Sequence, residues 1–185
     1  MPFEFKRLEI RDVTLIKPKV FGDERGFFME TYKKEDFERA GIKGEFVQDN
    51  YSKSERGVLR GLHFQKEPYA QAKIVRCIRG EIYDVAVDLR RDSQAFGRYV
   101  GVNLSEENKY QLYVPKGFAH GFLVLSKSAE VFYKVDNVYA PDYEGGLIWN
   151  DSEVNIKWPN DNPVLLEKDK GWLTLKELTE KDELS

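Results

Sequence analysis

The sequence predicts a mainly β chain folded as a sandwich or barrel, and three observations carry that expectation. Short apolar segments recur near 46–48, 58–64, 73–79, 81–89, 98–104, 111–114, 121–125 and 130–139. Turn-forming residues separate them: Gly80, Asp92-Ser93, Ser105-Glu106-Glu107-Asn108, Pro115-Lys116-Gly117 and Ser126-Lys127-Ser128. Many short strands at such spacing belong to sandwiches and barrels, not to alternating βαβ units. Third, aromatic residues make up 14% of the chain, with 12 Phe and 10 Tyr. Such rings suit a pleated, half-buried surface and an aromatic-lined cavity.

Taken in order, residues 8–20 alternate loosely through Leu8, Ile10, Val13, Leu15 and Ile16, with Pro18 interrupting, and read as strands or arms. Phe21 to Glu30 is a turn rich in Gly and charge that leads into an aromatic strand. The spacing predicts a helix over 33–40, stopped by Gly41 at the position after the C-cap. The clearest strand is Ile82 to Leu89, with Tyr83, Val85, Val87 and Leu89 on one face and Asp84 and Asp88 on the other. After Asn150 the pattern loosens into Pro159-Asn160-Asp161-Asn162-Pro163 and a tail at 167–172, with a last helix expected at 173–178. With 185 residues the chain fits a single domain, divided into an N-terminal arm at about 1–45, a core at about 46–150 and a tail at 151–185.

Charge narrows the partners. The net charge is -3, from 29 basic and 32 acidic residues well interspersed, so no basic field points to nucleic acid. An anionic ligand must be met by a few local Arg and Lys. The single Cys77 excludes an intrachain disulfide and, between Val75 and Ile78, reads as a buried structural thiol. Neither an apolar leader nor a membrane span is legible, and the expectation is a soluble, cytosolic protein that meets no membrane.

The chemistry centres on Gly57-Val58-Leu59-Arg60-Gly61-Leu62-His63-Phe64-Gln65, which carries one of only two histidines. The other, His120, lies in Pro115-Lys116-Gly117-Phe118-Ala119-His120-Gly121-Phe122. Metal-binding barrels favour paired spacings such as H-x-H with further His or carboxylate ligands, and here the histidines stand alone, so no metal or other cofactor is expected. No serine sits on a nucleophile elbow. His63 is left as a general base or a structural histidine. Ideal alternation places Leu59, Gly61 and His63 on one face and Arg60, Leu62 and Phe64 on the other. If Arg60 and His63 serve one pocket, the strand must bulge or turn, and Gly57 or Gly61 would permit it. Lys73 opens an apolar strand, an expensive place for a cation unless an anion meets it. On pattern alone Tyr133 is a core tyrosine, and Tyr139 to Gly146 is either a surface turn or a stacking surface for a planar ligand.

Several long motifs in order carry a likeness to a known family. They are Arg25-Gly26-Phe27-Phe28-Met29-Glu30, Gln48-Asp49-Asn50, Val58 to Gln65, Lys73, Leu112 to Phe122, Tyr133, and Tyr139 to Trp149. From about residue 10 to residue 175 the chain resembles the dTDP-4-dehydrorhamnose 3,5-epimerases, a metal-independent branch of the cupins. The resemblance implies a cupin-type jelly-roll β-sandwich with a few short peripheral helices, a homodimer, and a dTDP-linked 4-keto-6-deoxy sugar as substrate, inverted at C3 and C5. It implies His63 as base, Tyr133 as acid, Lys73 as enolate stabiliser and Asp169 as the carboxylate that orients His63, with Asp84 as the rival for that last role. Arg25, Glu30, Gln48, Asp49, Asn50, Arg60, His120, Glu144 and Lys168 map onto substrate contacts, and Tyr139 onto the residue stacking on thymine. Arg25 to Glu30 is expected to act across the dimer. One departure is Phe64, where family members often carry Tyr, and it should leave the mechanism untouched.

Overall fold

Alternating side chains sort the strands into two facing sheets in the computed structural model, which describes residues 2–184. The strands are β1 (Phe3–Arg7), β2 (Thr14–Pro18), β3 (Phe21–Asp23), β4 (Gly26–Phe28), β5 (Gln48–Glu55), β6 (Leu59–Gln65), β7 (Lys73–Arg79), β8 (Glu81–Asp88), β9 (Tyr99–Ser105), β10 (Gln111–Val114), β11 (Phe118–Val124), β12 (Ser128–Val135) and β13 (Glu144–Gly146). The helices are short: α1 (Lys34–Arg39), α2 (Glu167–Lys170) and α3 (Leu175–Glu180). One sheet runs β1-β2-β10-β7-β12-β5 and the other β13-β6-β11-β8-β9, while β3 and β4 form a separate hairpin. The pairings are antiparallel throughout both sheets, and neighbours distant in sequence, such as β10 beside β2 and β11 beside β6, give the jelly-roll character.

Apolar residues from both sheets meet between them: Val75 and Cys77 of β7, Leu112 and Val114 of β10 and Val131 of β12 against Ile82 and Ala86 of β8, Val100 and Leu104 of β9 and Phe122 of β11. A second cluster lies on the other face of the five-stranded sheet. There Leu59, Leu62, Phe64, Val85, Val87, Ala119 and Leu123 are covered by Leu147, Val154, Ile156, Trp158, Leu175 and Leu178. The C-terminal segment is therefore a lid on that sheet, and β8 is buried on both faces. Asp84 and Asp88 point inward with Ile82 and Ala86, and both are fully buried. Burying a carboxylate is tolerable only with partners; Asp88 has Arg90 and Ser93, and Asp84 has His120.

The expected tension in β6 is resolved by a bulge. His63 pairs with His120 and Arg60 with Phe122, so three steps on β6 span two on β11. Leu59, Leu62 and Phe64 consequently share one apolar cluster, which ideal alternation forbids. Gly61 is the residue that permits it. Its φ is 131°, and a Cβ there would lie 2.6 Å from Gly121 Cα and 2.9 Å from the His120 carbonyl oxygen. No L side chain fits that approach.

Several boundaries differ from the sequence expectation. The strand expected at 46–48 is β5, which runs to Glu55; its residues are polar because it is the sheet's open edge, with alternate side chains exposed. β12 stops at Val135 instead of 139, and the chain then makes a 3-10 turn at Pro141–Tyr143 before β13. The stretch expected as an arm adds β1 and β2 to the six-stranded sheet. The helix expected at 33–40 spans 34–39, with Gly41 at φ 86°. The last helix begins at Leu175, not Leu173, because Thr174 caps it through a capping box with Glu177, while Leu173 is bridged to Leu147. The helical turn α2, within the expected tail, carries Asp169.

Candidate active site

Both sheets contribute inward side chains to a cavity of about 300 Å³ at one end of the sandwich. From the six-stranded sheet come Gln48 and Asn50 of β5, Lys73 of β7 and Tyr133 of β12; from the other come His63 of β6 and Glu144 of β13. Register explains the grouping, since Tyr133 lies opposite Asn50, and Lys73 and Gln48 both lie opposite Val135. Tyr139 stands at the rim, 54% exposed. His63 and Tyr133 thus face one cavity from opposite sheets.

His63 is held from behind. Its Nε2 lies 2.7 Å from Asp169 Oδ1. Asp169 is 4% exposed, and its other oxygen, Oδ2, accepts the Gly61 N–H at 3.3 Å, so the bulge also supplies a donor. Burial pushes the Asp169 carboxyl up, but the contacts with His63, the Gly61 amide and Trp172 together hold it below the usual carboxylate range. Asp84 does not orient His63. It faces the neighbouring strand, where its Oδ1 lies 2.8 Å from His120 Nε2. Each histidine has its own carboxylate partner, Asp169 for His63 and Asp84 for His120.

Lys73 is 8% exposed. Burial pulls its ammonium down to about 8, with Asp84 and Glu144 opposing the shift through their charges. Asp84 is already engaged by His120, and Glu144 by Lys168 and Tyr139, so the cation retains its capacity for an anion in the cavity. Burial also raises Tyr133, which keeps its phenolic proton. Cys77 is enclosed, and burial pushes its thiol up to about 12, the state of an inert core residue. Among the described residues no group of three or more His, Cys, Asp or Glu is placed to hold a metal ion.

The remaining expected contacts divide into groups. Arg60 and Lys168 line a neighbouring cleft of about 350 Å³ that also reaches His63 and Asp169; Arg60 Nε donates to Ser54 Oγ at 2.8 Å. Glu144 accepts from Tyr139 Oη at 3.0 Å and pairs with Lys168. His120, on the strand beside His63 and its direct cross-strand partner, is buried with Asp84. Asp49 falls on the outer face of its sheet, where it pairs with Lys134 at 2.7 Å, because β5 alternation turns it away from Gln48 and Asn50. Arg25 is not among the residues lining the cavity and lies on the exposed β3–β4 turn with Asp23 as its partner. Glu30 follows that hairpin, with Oε2 enclosed and unpaired. Three lining residues were not expected as contacts: Phe64, Gln71, which donates to the Asn137 carbonyl, and Gln65, whose amide holds the Tyr69, Val138 and Ala140 backbone. Gln71 lies outside every motif, and Gln65, the last residue of one, carries no periodic signal that would mark it as a lining residue.

A jelly-roll sandwich whose cavity joins a carboxylate-held imidazole, a buried tyrosine and a buried lysine defines a cupin-like site equipped for proton transfer. The comparisons with known proteins agree. The family model for dTDP-4-dehydrorhamnose 3,5-epimerase matches residues 7–177. The chain is 60% identical over 164 residues to the Shigella flexneri dTDP-4-dehydrorhamnose 3,5-epimerase, covering 88% of this chain and 91% of that one. Among solved structures it is similar to the Elizabethkingia anophelis dTDP-4-dehydrorhamnose 3,5-epimerase (TM-score 0.92, 48% identity, 96% of this chain and 98% of that one). It is also similar to the Legionella pneumophila dTDP-6-deoxy-D-glucose-3,5-epimerase in complex with dTDP-4-keto-L-rhamnose (TM-score 0.94, 43% identity, 98% of this chain and 97% of that one). This chain belongs to the dTDP-4-dehydrorhamnose 3,5-epimerase family.

Proposed function

We propose that this chain converts dTDP-4-dehydro-6-deoxy-D-glucose to dTDP-4-dehydro-L-rhamnose, an isomerase step of dTDP-L-rhamnose biosynthesis. The observation that carries the residue roles is the placement of His63 and Tyr133 on opposite walls of one cavity, with Lys73 between the sheets. Hydrogens at C3 and C5 are acidified by the C4 ketone. His63 removes one from one ring face; because Nε2 is committed to Asp169, Nδ1 is the nitrogen left to receive it. The electron pair moves onto the ketone oxygen, and the Lys73 ammonium stabilises the resulting enolate. Tyr133 returns a proton to the opposite face, inverting the carbon. Once His63 has released its proton to solvent and Tyr133 has regained one, the same sequence at the second carbon completes the reaction. Asp169 fixes the imidazole and offsets the charge it acquires.

The same reading assigns the nucleotide to the rim. Tyr139 is exposed there to stack on the base, and Arg60 and Lys168 in the adjoining cleft suit a diphosphate through charge-assisted hydrogen bonds. Gln48 and Asn50 would contact the substrate from β5. We include a homodimer in the proposal. Its support is the β3–β4 hairpin, where Phe21, Phe27 and Phe28 are 48%, 60% and 66% exposed, an apolar patch of the kind that marks an interface. Arg25 and Glu30 then reach the cavity of a second copy. The proposal also includes a cytoplasmic location, for which a free thiol is suited; no helix of the described residues is long and apolar enough to cross a membrane. Incubation with dTDP-4-dehydro-6-deoxy-D-glucose tests the function. Proton NMR should show the L-configured 4-keto sugar accumulating, and unchanged substrate would refute it.

A further inference from the structure

Trp172 lies outside every motif that pointed to the site, yet it is built into the hydrogen-bonded pair behind His63. Its indole N–H donates to Asp169 Oδ1 at 3.1 Å, the same oxygen that lies 2.7 Å from His63 Nε2. The ring meets the His63 ring edge-on, with centroids 6.0 Å apart and planes at 72°. Several contacts hold it. Gly146, directly opposite His63 in the sheet, lets the indole lie against the β13 backbone, because a Cβ there would fall 2.1 Å from the ring. The next residue, Leu173, is bridged to Leu147 and accepts from the Ile148 amide at 2.9 Å. Lys168 Nζ sits 5.4 Å from the ring centroid on its other side.

We propose that Trp172 is a positioning residue of the epimerisation, its indole N–H sharing Asp169 Oδ1 with His63 and so setting both the alignment of the pair and how strongly the carboxylate holds the protonated imidazole. The proposal rests on His63 being the base. A carboxylate that accepts an additional N–H spreads its charge and attracts the imidazolium less. Loss of the indole donor should therefore strengthen that attraction and favour the charged pair. The other charged or titratable groups around the pair are Arg60 and Lys168 in the cleft, Lys73, Tyr133 and Glu144 in the cavity, and His120 with Asp84 on the neighbouring strands. Trp172→Phe changes none of them and leaves an aromatic face for Lys168.

Two measurements test this. In the native protein labelled with ¹⁵N at its indoles, the Trp172 N–H resonance should shift through the pH interval in which kcat/KM rises, while the Trp158 N–H, bonded to the Trp149 carbonyl, stays flat. In Trp172→Phe the acid limb of kcat/KM should move to higher pH, because the carboxylate then holds the charged imidazole more strongly. A Trp172 resonance insensitive to pH, or a variant that loses activity equally at every pH, would overturn the proposal. His63→Ala separates the two readings: retained turnover there would sink the base assignment, whereas the resonance titration judges Trp172 independently.

Discussion

Lys73→Met should lose activity by about a thousandfold, the scale of one removed oxyanion partner, and should at the same time make the protein more stable. Lys73 titrates at about 8 in the folded chain and near an ordinary lysine value of about 10.5 when unfolded. Between those values the unfolded chain binds the extra proton, so stability rises with pH, and below about 8 the burial penalty is fully present. At roughly 1.4 kcal/mol per unit, the charged lysine costs about 3 kcal/mol at neutral pH. Methionine has similar length and no charge. That cost is already net of the favourable charges of Asp84 and Glu144, so the gain of roughly 3 kcal/mol should be readable as a raised denaturant midpoint at pH 7 and a smaller difference near pH 10. The same titration shapes the native enzyme's rate. As Lys73 must be charged, kcat/KM should fall above about pH 8. A Lys73→Met chain no more stable than the parent would mean that the buried cation is compensated in a way the geometry does not show.

The second large effect separates the two walls of the cavity. His63→Ala should abolish both inversion and the exchange of C3 and C5 hydrogens with solvent, by about 10²–10⁴-fold. Tyr133→Phe should impair inversion by a similar factor but leave exchange measurable, because His63 still takes the proton and can return it to the face it came from. NMR in heavy water distinguishes the two: label without inversion for Tyr133→Phe, neither for His63→Ala. Asp169→Asn combined with His63→Ala should be little worse than His63→Ala alone, since the carboxylate works only through the imidazole. Equal loss of exchange in both single variants would show that acid and base are not divided as proposed.

Much of this was legible in the sequence, and the misses have physical causes. Strands with two-sided or one-sided burial, such as β8 and β11, announce themselves by their apolar content. β5 was nearly invisible because an open edge strand of Gln, Asp, Asn, Ser and Lys has no apolar face to alternate. In sequence the β6 bulge is only a condition for Arg60 and His63 to serve one pocket, with Gly57 or Gly61 to permit it, and the pairings of His63 with His120 and Arg60 with Phe122 fix where it lies. Asp169 could be matched by resemblance alone; that it reaches Gly61, more than a hundred residues away in the chain, is a tertiary fact with no local sign. Trp172 is the sharpest case. In sequence Trp172 is only the end of a charged tail, and its hydrogen bond becomes visible only when the chain after α2 sets it against Gly146.

Solvent labelling tests the central claim most directly. With the native enzyme, dTDP-4-dehydro-6-deoxy-D-glucose and heavy water, the account predicts a product carrying deuterium at both C3 and C5, each with inverted configuration. Deuterium at C3 alone would contradict it.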